Sequence, residues 1–129
     1  MNDRTCELVR VTTSDGLSLD GALVSPECSG TLPVDAFLLV HGTGSNFYAP
    51  GVLETFAQHA VKAGAAVLRV NTRGHDGISS IPGRGRSVKG GAAFEKIGDC
   101  VHDLHAWIDL LAARGLEHCR DLAAIHGER

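Results

Sequence analysis

Two largely apolar segments constrain the fold more than any other feature of the sequence: the continuous apolar run Ala36–Val40, and residues 65–71, which read as a second buried strand. Strands that are buried on both faces have this pattern, which is typical of parallel sheets covered by helices. Between the two segments, apolar residues recur at helical spacing over 52–61, with Pro50 expected in the first turn and Gly64 at the end. The order strand, helix, strand predicts a right-handed βαβ unit with parallel strands.

A hairpin is predicted ahead of this unit. Polar and apolar residues alternate over 7–12 and again over 17–24, and the dipeptide Asp15-Gly16 between them is a strong turn signal. This pattern indicates two antiparallel strands with one face toward water.

Regular periodicity disappears over residues 72–93, where glycines and basic side chains accumulate. We expect a flexible loop, because a structureless stretch of this length within one domain is usually functional or disordered. Its cations could face an anionic substrate or partner, or they could simply keep the loop solvated. The basic residues of this segment are Arg73, Arg84, Arg86 and Lys89.

A second helix is predicted over 95–114 from five apolar residues spaced alternately by four and three: Ile97, Val101, Leu104, Ile108 and Leu111. Its outer face would carry Lys96, Asp99, Asp103, Asp109 and Arg114. His102 and His105 lie among these acids, which raises the question of a metal site. Because all of them lie off the apolar stripe, a solvated helix face is favoured, and no metal ligand is assigned.

Residues 121–125 read as the start of a third buried strand. We therefore expect an α/β fold: an antiparallel hairpin followed by parallel βαβαβ strands with helices packed on the sheet. The chain of 129 residues would form a single domain, 1–129, that is incomplete.

Charge, hydrophobicity and cysteine spacing exclude several classes of protein. A formal charge of −3 gives no field to attract phosphate backbones, so nucleic-acid binding is not expected. The longest apolar run is too short to span a bilayer, and the amino terminus lacks the pattern of a secretory signal. The four cysteines match neither a redox pair nor zinc-ligand spacing, which favours free thiols and a cytoplasmic location.

Two glycine-containing turns follow the first two buried strands: His41-Gly42-Thr43-Gly44, and the segment of residues 71–75 containing Arg73-Gly74-His75. Both should lie at the carboxyl edge of the sheet, where open α/β folds bind ligands. Backbone N–H groups in the first turn could hold the negative oxygen of a tetrahedral intermediate. Taken alone, either turn could equally be an ordinary connection between strand and helix.

Together, the hairpin, the strand ending in His-Gly-x-Gly, the helix, and the strand ending in Arg-Gly-His resemble the α/β-hydrolase family across essentially the whole chain. Asp76, which follows His75, departs from the commoner Arg-Gly-His-Gly form. The resemblance implies serine hydrolysis of a small-molecule ester, amide or similar acyl substrate, without metal or organic cofactor. It assigns the oxyanion hole to Thr43 and Gly44, and a turn-organising role to His41, Gly42, Arg73, Gly74 and His75.

The nucleophile of this family lies in G-x-S-x-G, and no serine of this sequence has that context. Gly127-Glu128-Arg129 follows the third strand where such an elbow would open, with arginine in place of serine. The chain thus resembles the amino-terminal half of a hydrolase domain, with no catalytic residue assigned, and we expect it to be inactive alone.

An alternative is a non-enzymatic binding or assembly module whose exposed sheet edge is completed by another polypeptide or by self-association. A small complete enzyme using Ser45 or Ser79 is less favoured, because neither serine has an evident base.

Overall fold

One mixed sheet organises the chain. In a computed structural model, which describes residues 6–26 and 32–116 and the backbone of 122–123, the elements are β1 (Cys6–Thr12), β2 (Ser18–Val24), β3 (Ala36–Val40), α1 (Val52–Lys62), β4 (Ala66–Val70), β5 (Ser79–Pro82), β6 (Ser87–Gly90), a 3-10 turn (Ile97–Asp99), α2 (Cys100–Ala113) and β7 (Leu122–Ala123). The strands of the main sheet lie in the order β1-β2-β4-β3-β7.

The pairing confirms the predicted α/β fold. Strand β2 is antiparallel to both β1 and β4, whereas β3 is parallel to both β4 and β7. The hairpin, the βαβ unit and the third strand therefore exist as predicted. Helix α1 ends at Lys62, just before Gly64, but Pro50 lies before the helix rather than in its first turn.

The two helices cover opposite faces of the sheet. Since β4 and β7 lie on opposite sides of β3, right-handed crossovers place α1 and α2 on different faces. On one face α1 packs against Leu39 and Val67. On the other, Trp107 and Leu111 of α2 pack with strand residues that include Leu68. Strands β3 and β4 are thus buried from both sides, as their apolar residues predicted.

The predicted orientation of the second helix is wrong. Helix α2 begins at Cys100 rather than near residue 95, and its buried residues are Asp103, Trp107 and Leu111. Of the predicted apolar face, Leu111 is buried as predicted, but Ile97 is 85% exposed, and Val101 and Ile108 are also exposed.

The Trp107 side chain explains this orientation. Its ring lies against Gly21, where an added Cβ would be 3.0 Å from the ring, and its indole N–H donates to the Asn71 carbonyl at 3.0 Å. A large aromatic side chain with a satisfied N–H buries more surface than the smaller aliphatic residues of the predicted face.

The segment 72–93, expected as a loop, contains a second hairpin. Strands β5 and β6 pair from Ser79 with Gly90 to Pro82 with Ser87. Ile81 is 1% exposed and packs directly over Gly90, where a side chain would collide with it. Four-residue strands with a single buried residue give almost no periodicity, so the sequence pattern could not reveal them.

Truncating α2 on each face tests its orientation. We expect Leu111→Ala to lower the free energy of unfolding by about 2–5 kcal/mol, because it opens a cavity in the core. Ile108→Ala, on the exposed face of the same helix, should cost less than about 1 kcal/mol. Urea denaturation at low protein concentration measures both. If both variants lowered the free energy of unfolding equally, Ile108 would be buried as well. The face predicted from the spacing of apolar residues would then be the correct one.

Candidate functional site

The two glycine-containing turns lie side by side at the carboxyl edge of the sheet. Val40, the last residue of β3, pairs with Val70, the last residue of β4, so the two chains leave the sheet at the same level. His41 and Asn71 are the first residues beyond it. This is the edge at which open α/β sheets bind ligands.

The buried His41 ring connects the two turns. Its Nδ1 lies 2.8 Å from the Gly42 carbonyl oxygen, which can only accept, so Nδ1 carries the proton. Its Nε2 then accepts a hydrogen bond from the Thr72 N–H at 3.1 Å. Burial lowers the pKa of His41, which agrees with a neutral ring. His41 therefore joins the turn after β3 to the turn after β4.

Asp76 makes a second connection between the turns. Its N–H donates to the Ser45 carbonyl at 2.7 Å, and its carboxylate accepts from Asn46 Nδ2 at 2.9 Å and from His75 Nδ1 at 2.8 Å. The hydrogen bonds from Asn46 and then His75 lower the pKa of this carboxyl. Asp76 has a φ of 61°, a left-handed conformation uncommon outside glycine. The residue that departs from the family pattern thus bridges both turns.

Thr43 and Gly44 are exposed at the mouth of a cleft of about 490 Å³. Gly44 has a φ of 73°, and the Ser45 N–H closes the turn on the Gly42 carbonyl at 3.0 Å. Across the described ranges, the backbone N–H groups of Thr43 and Gly44 have no hydrogen-bond acceptor within the protein. The cleft is lined by residues 42–46 of the first turn, by Pro50 before α1, and by Val52 and Leu53 at the start of α1.

Arg73 is buried beneath the second turn and binds two carboxylates. Its NH2 lies 2.8 Å from Asp103 Oδ1, and its NH1 lies 2.7 Å from Asp15 Oδ2. Its backbone N–H also donates to Asp103 at 2.8 Å. Burial opposes the charge of Arg73, yet the two carboxylates raise its pKa, and Arg73 holds the pKa of Asp15 well below its usual value.

This ion-pair cluster corrects two predictions. Arg73 does not belong with the solvated cations Arg84, Arg86 and Lys89, which are exposed, and Asp103 is not on the outer face of α2. Asp103 is fully buried one helical turn before Trp107. The sequence contains a signal for this buried face, because Asp103, Trp107 and Leu111 are each four residues apart. A prediction from hydrophobicity misses it, since it places a carboxylate on the solvent-exposed face.

Gly74 lies in close contact with the end of the Glu95 side chain. A Cβ at Gly74 would collide with the Glu95 carboxylate. Glu95 in turn accepts a long hydrogen bond from the Cys100 thiol at 3.7 Å, and the Cys100 pKa is raised to about 11, first by burial. The Glu95 side chain therefore contacts both the turn after β4 and the start of α2.

The structure does not bring a serine and a histidine together at the site. In the parts of the chain that the structure describes, the serine–histidine hydrogen bond that forms is Ser14 Oγ with His102 Nδ1 at 3.0 Å, on the surface. Among the described residues, neither Ser45 nor Ser79 forms a side-chain hydrogen bond with a histidine. Residues 127–129, including Arg129 in the serine position, lie outside the described residues.

Solved structures share this arrangement. An esterase from Pyrococcus furiosus aligns with a TM-score of 0.65 at 19% identity, over 93% of this chain and 39% of its own. An α/β hydrolase from Penicillium sp. aligns with a TM-score of 0.59 at 20% identity, over 83% of this chain and 32% of its own. The chain has a partial α/β-hydrolase fold. Acylaminoacyl peptidase from Pyrococcus horikoshii has the same fold, with a TM-score of 0.59 at 21% identity, over 90% of this chain and 18% of its own.

This hydrolase-fold chain therefore spans less than half the length of the structures it resembles. No protein-family model and no curated protein sequence matches it. In the described segments, no helix is long and apolar enough to cross a membrane. Those same segments contain no group of three or more His, Cys, Asp or Glu side chains placed to hold a metal ion.

Removing the buried carboxylate tests the Arg73 cluster. We expect Asp103→Asn to lower the free energy of unfolding by about 3–5 kcal/mol, because it leaves a buried guanidinium partly uncompensated. Asp109→Asn, an exposed position on the same helix, should change it by less than about 0.5 kcal/mol. Chemical denaturation measures both variants. Similar small effects would show that the cluster does not stabilise the fold.

His41 should make stability depend on pH. The unfolded histidine titrates near 6.5 and the folded ring below that, so the unfolded chain binds more protons between the two values. Stability is therefore complete above 6.5 and falls as pH drops, by at most about 1.4 kcal/mol per pH unit. His41→Gln should flatten this slope.

The matched control for this pH dependence is His59→Gln, at an exposed position on α1. It should leave the slope unchanged when urea midpoints are measured across the same pH range. If both variants kept the slope of the original chain, the buried neutral ring would not be its source.

Proposed function

We propose that this chain carries the oxyanion-binding side of a serine-hydrolase site for ester, amide or similar acyl bonds of a small-molecule substrate, without metal or organic cofactor. The supporting observation is the pair of unbonded N–H groups of Thr43 and Gly44 at a cleft on the carboxyl edge of the sheet. Solved structures of this fold include an esterase and an acylaminoacyl peptidase.

Two adjacent N–H donors can stabilise the negative oxygen that develops when an acyl carbon becomes tetrahedral. They act well only if they are held in place before the reaction, because a donor that must reorient loses free energy in doing so. Thr43 and Gly44 meet this condition through the closed turn from Gly42 to Ser45.

The neighbouring residues would keep the donors in place. His41 joins the first turn to Thr72, and Gly42 supplies the carbonyl that both His41 and Ser45 bind. In the second turn, Arg73 anchors the backbone to α2, Gly74 admits Glu95, and His75 binds Asp76. We assign these five residues, His41, Gly42, Arg73, Gly74 and His75, a turn-organising rather than a proton-transferring role.

This half of a site should not turn over substrate by itself. Acyl transfer needs a nucleophile with a base within hydrogen-bond reach, and Ser45 and Ser79 have none among the described residues. Losing the nucleophile leaves only the residual rate due to binding and the oxyanion hole.

The second candidate function is an assembly module. The observation that favours it is structural: among the described strands β7 is the last of the sheet and pairs with β3, and apolar residues of α2 are exposed within the described part of the chain. A cytoplasmic location would suit either function, because Cys6 and Cys100 are free thiols.

The hydrolase proposal predicts binding of an oxyanion mimic without covalent reaction. Titration with isopropyl methylphosphonate, a tetrahedral anion, should shift the amide NMR signals of Thr43 and Gly44, while a fluorophosphonate probe should label no serine. The neutral ester isopropyl acetate should shift these signals less, because it lacks the charge that the N–H groups attract.

Gly44→Ala should weaken the phosphonate-induced shifts, because its left-handed φ of 73° is strained for alanine. Gly77→Ala is the matched control, since a Cβ there meets open space. Shifts confined to Arg84 and Arg86 would assign anion binding to the β5–β6 hairpin instead and overturn the oxyanion role. Stoichiometric labelling of a serine would overturn the predicted inactivity.

A further inference from the structure

Asp76, which follows His75 in the second turn, holds the end of the first turn. Its backbone N–H donates to the Ser45 carbonyl at 2.7 Å, and Asn46 Nδ2 donates to its carboxylate oxygen Oδ1 at 2.9 Å. Ser45 and Asn46 come directly after Gly44 in the sequence. One residue of the second turn therefore bonds the two residues that follow the Thr43 and Gly44 donors.

The other polar groups of Asp76 are bonded as well. Its second carboxylate oxygen, Oδ2, lies 2.8 Å from His75 Nδ1, and its carbonyl accepts from the Ala92 N–H at 2.9 Å. Ala92 lies two residues beyond the end of β6. Asp76 therefore connects the first turn to the β5–β6 hairpin as well as to its own turn.

The backbone of Asp76 is in an unfavourable conformation. Its φ of 61° is left-handed, which crowds the Cβ of any residue other than glycine. Such residues persist where several surrounding contacts hold them, and they cluster at functional sites. Glycine would adopt this φ without strain, so the backbone alone does not account for an aspartate here. The carboxylate is accounted for by its bonds with Asn46 and His75.

The Asp76 carboxylate is not itself a group that binds an oxyanion. The hydrogen bonds from Asn46 and then from His75 lower its pKa, so it is ionised at neutral pH. An ionised carboxylate only accepts hydrogen bonds, and its charge repels an anion. Asp76 can therefore favour an anion at Thr43 and Gly44 only through the position of the first turn.

We propose that Asp76 is a positioning residue, which fixes the orientation of the Thr43 and Gly44 N–H groups through its hydrogen bond with Asn46. Donors that are fixed before the reaction stabilise a developing oxyanion more than donors that must reorient. This inference rests on the proposed oxyanion role, but the order of the first turn can be measured without any ligand.

Two substitutions remove this hydrogen bond from opposite sides: Asp76→Gly, which keeps the left-handed φ without strain, and Asn46→Ala. In the ligand-free protein, we expect each variant to lower the heteronuclear NOE of the Thr43 and Gly44 amides. The dissociation constant of isopropyl methylphosphonate should rise about three- to tenfold, which corresponds to the loss of one hydrogen bond. The double variant should resemble the single variants, because both substitutions remove the same bond.

Asp76→Asn is the conservative control, because asparagine tolerates a left-handed φ and its amide oxygen can accept from Asn46. It should keep the NOE values of the original chain and should not weaken phosphonate binding. Asp109→Asn, which removes an exposed charge on α2, should change neither measurement. Circular dichroism and the urea midpoint verify that each variant folds.

Unchanged NOE values in either Asp76→Gly or Asn46→Ala overturn the positioning role, whatever the phosphonate titration gives. Equal losses in Asp76→Asn and Asp76→Gly also overturn it, and would assign the effect to the charge of the carboxylate. If the original chain binds no phosphonate while the NOE values of both variants fall, the oxyanion proposal fails and the positioning of the turn by Asp76 stands.

Discussion

The bridge from Asp15 through Arg73 to Asp103 connects the first hairpin, the turn after β4 and helix α2. These three segments are distant in sequence. A guanidinium that is almost fully buried persists only when carboxylates compensate its charge with good geometry. Arg73 meets this requirement with hydrogen bonds to both acids, so its position determines where the second turn lies.

This bridge positions the second turn, and hydrogen bonds connect that turn to the first turn of the candidate site. The Arg73 backbone N–H is held by Asp103, the adjacent Thr72 N–H is held by His41, and Asp76 returns to the first turn at Ser45 and Asn46. A series of hydrogen bonds thus connects the turn that contains the Thr43 and Gly44 N–H groups to helix α2. Such support, rather than the two donors alone, is what an oxyanion site requires.

Most of the fold could be predicted because its signals are local. The apolar run of β3, the mostly apolar residues of β4, the alternation in β1 and β2, and the spacing in α1 each reflect how one element meets the core. The order of these elements, with the right-handed crossover rule, then leaves few topologies open. The β5–β6 hairpin was not predicted, because a single buried side chain, Ile81, produces no repeating pattern of apolar residues.

The face of α2 could not be predicted because the helix carries two apolar faces, and hydrophobicity does not say which one meets the sheet. The structure buries Trp107, whose ring fits against Gly21, and with it Asp103, whose charge Arg73 compensates. A buried acid is stable only beside its partner, and that partner lies thirty positions away.

The main sheet, the crossover helix and the two turns at one edge can be predicted from short-range patterns of burial and turn chemistry. The groups that those turns bring together become visible in the folded chain: His41 with Thr72, Asp76 with Ser45, and Arg73 with Asp15 and Asp103. Contacts between residues far apart in the chain depend on three-dimensional packing, which local pattern does not encode.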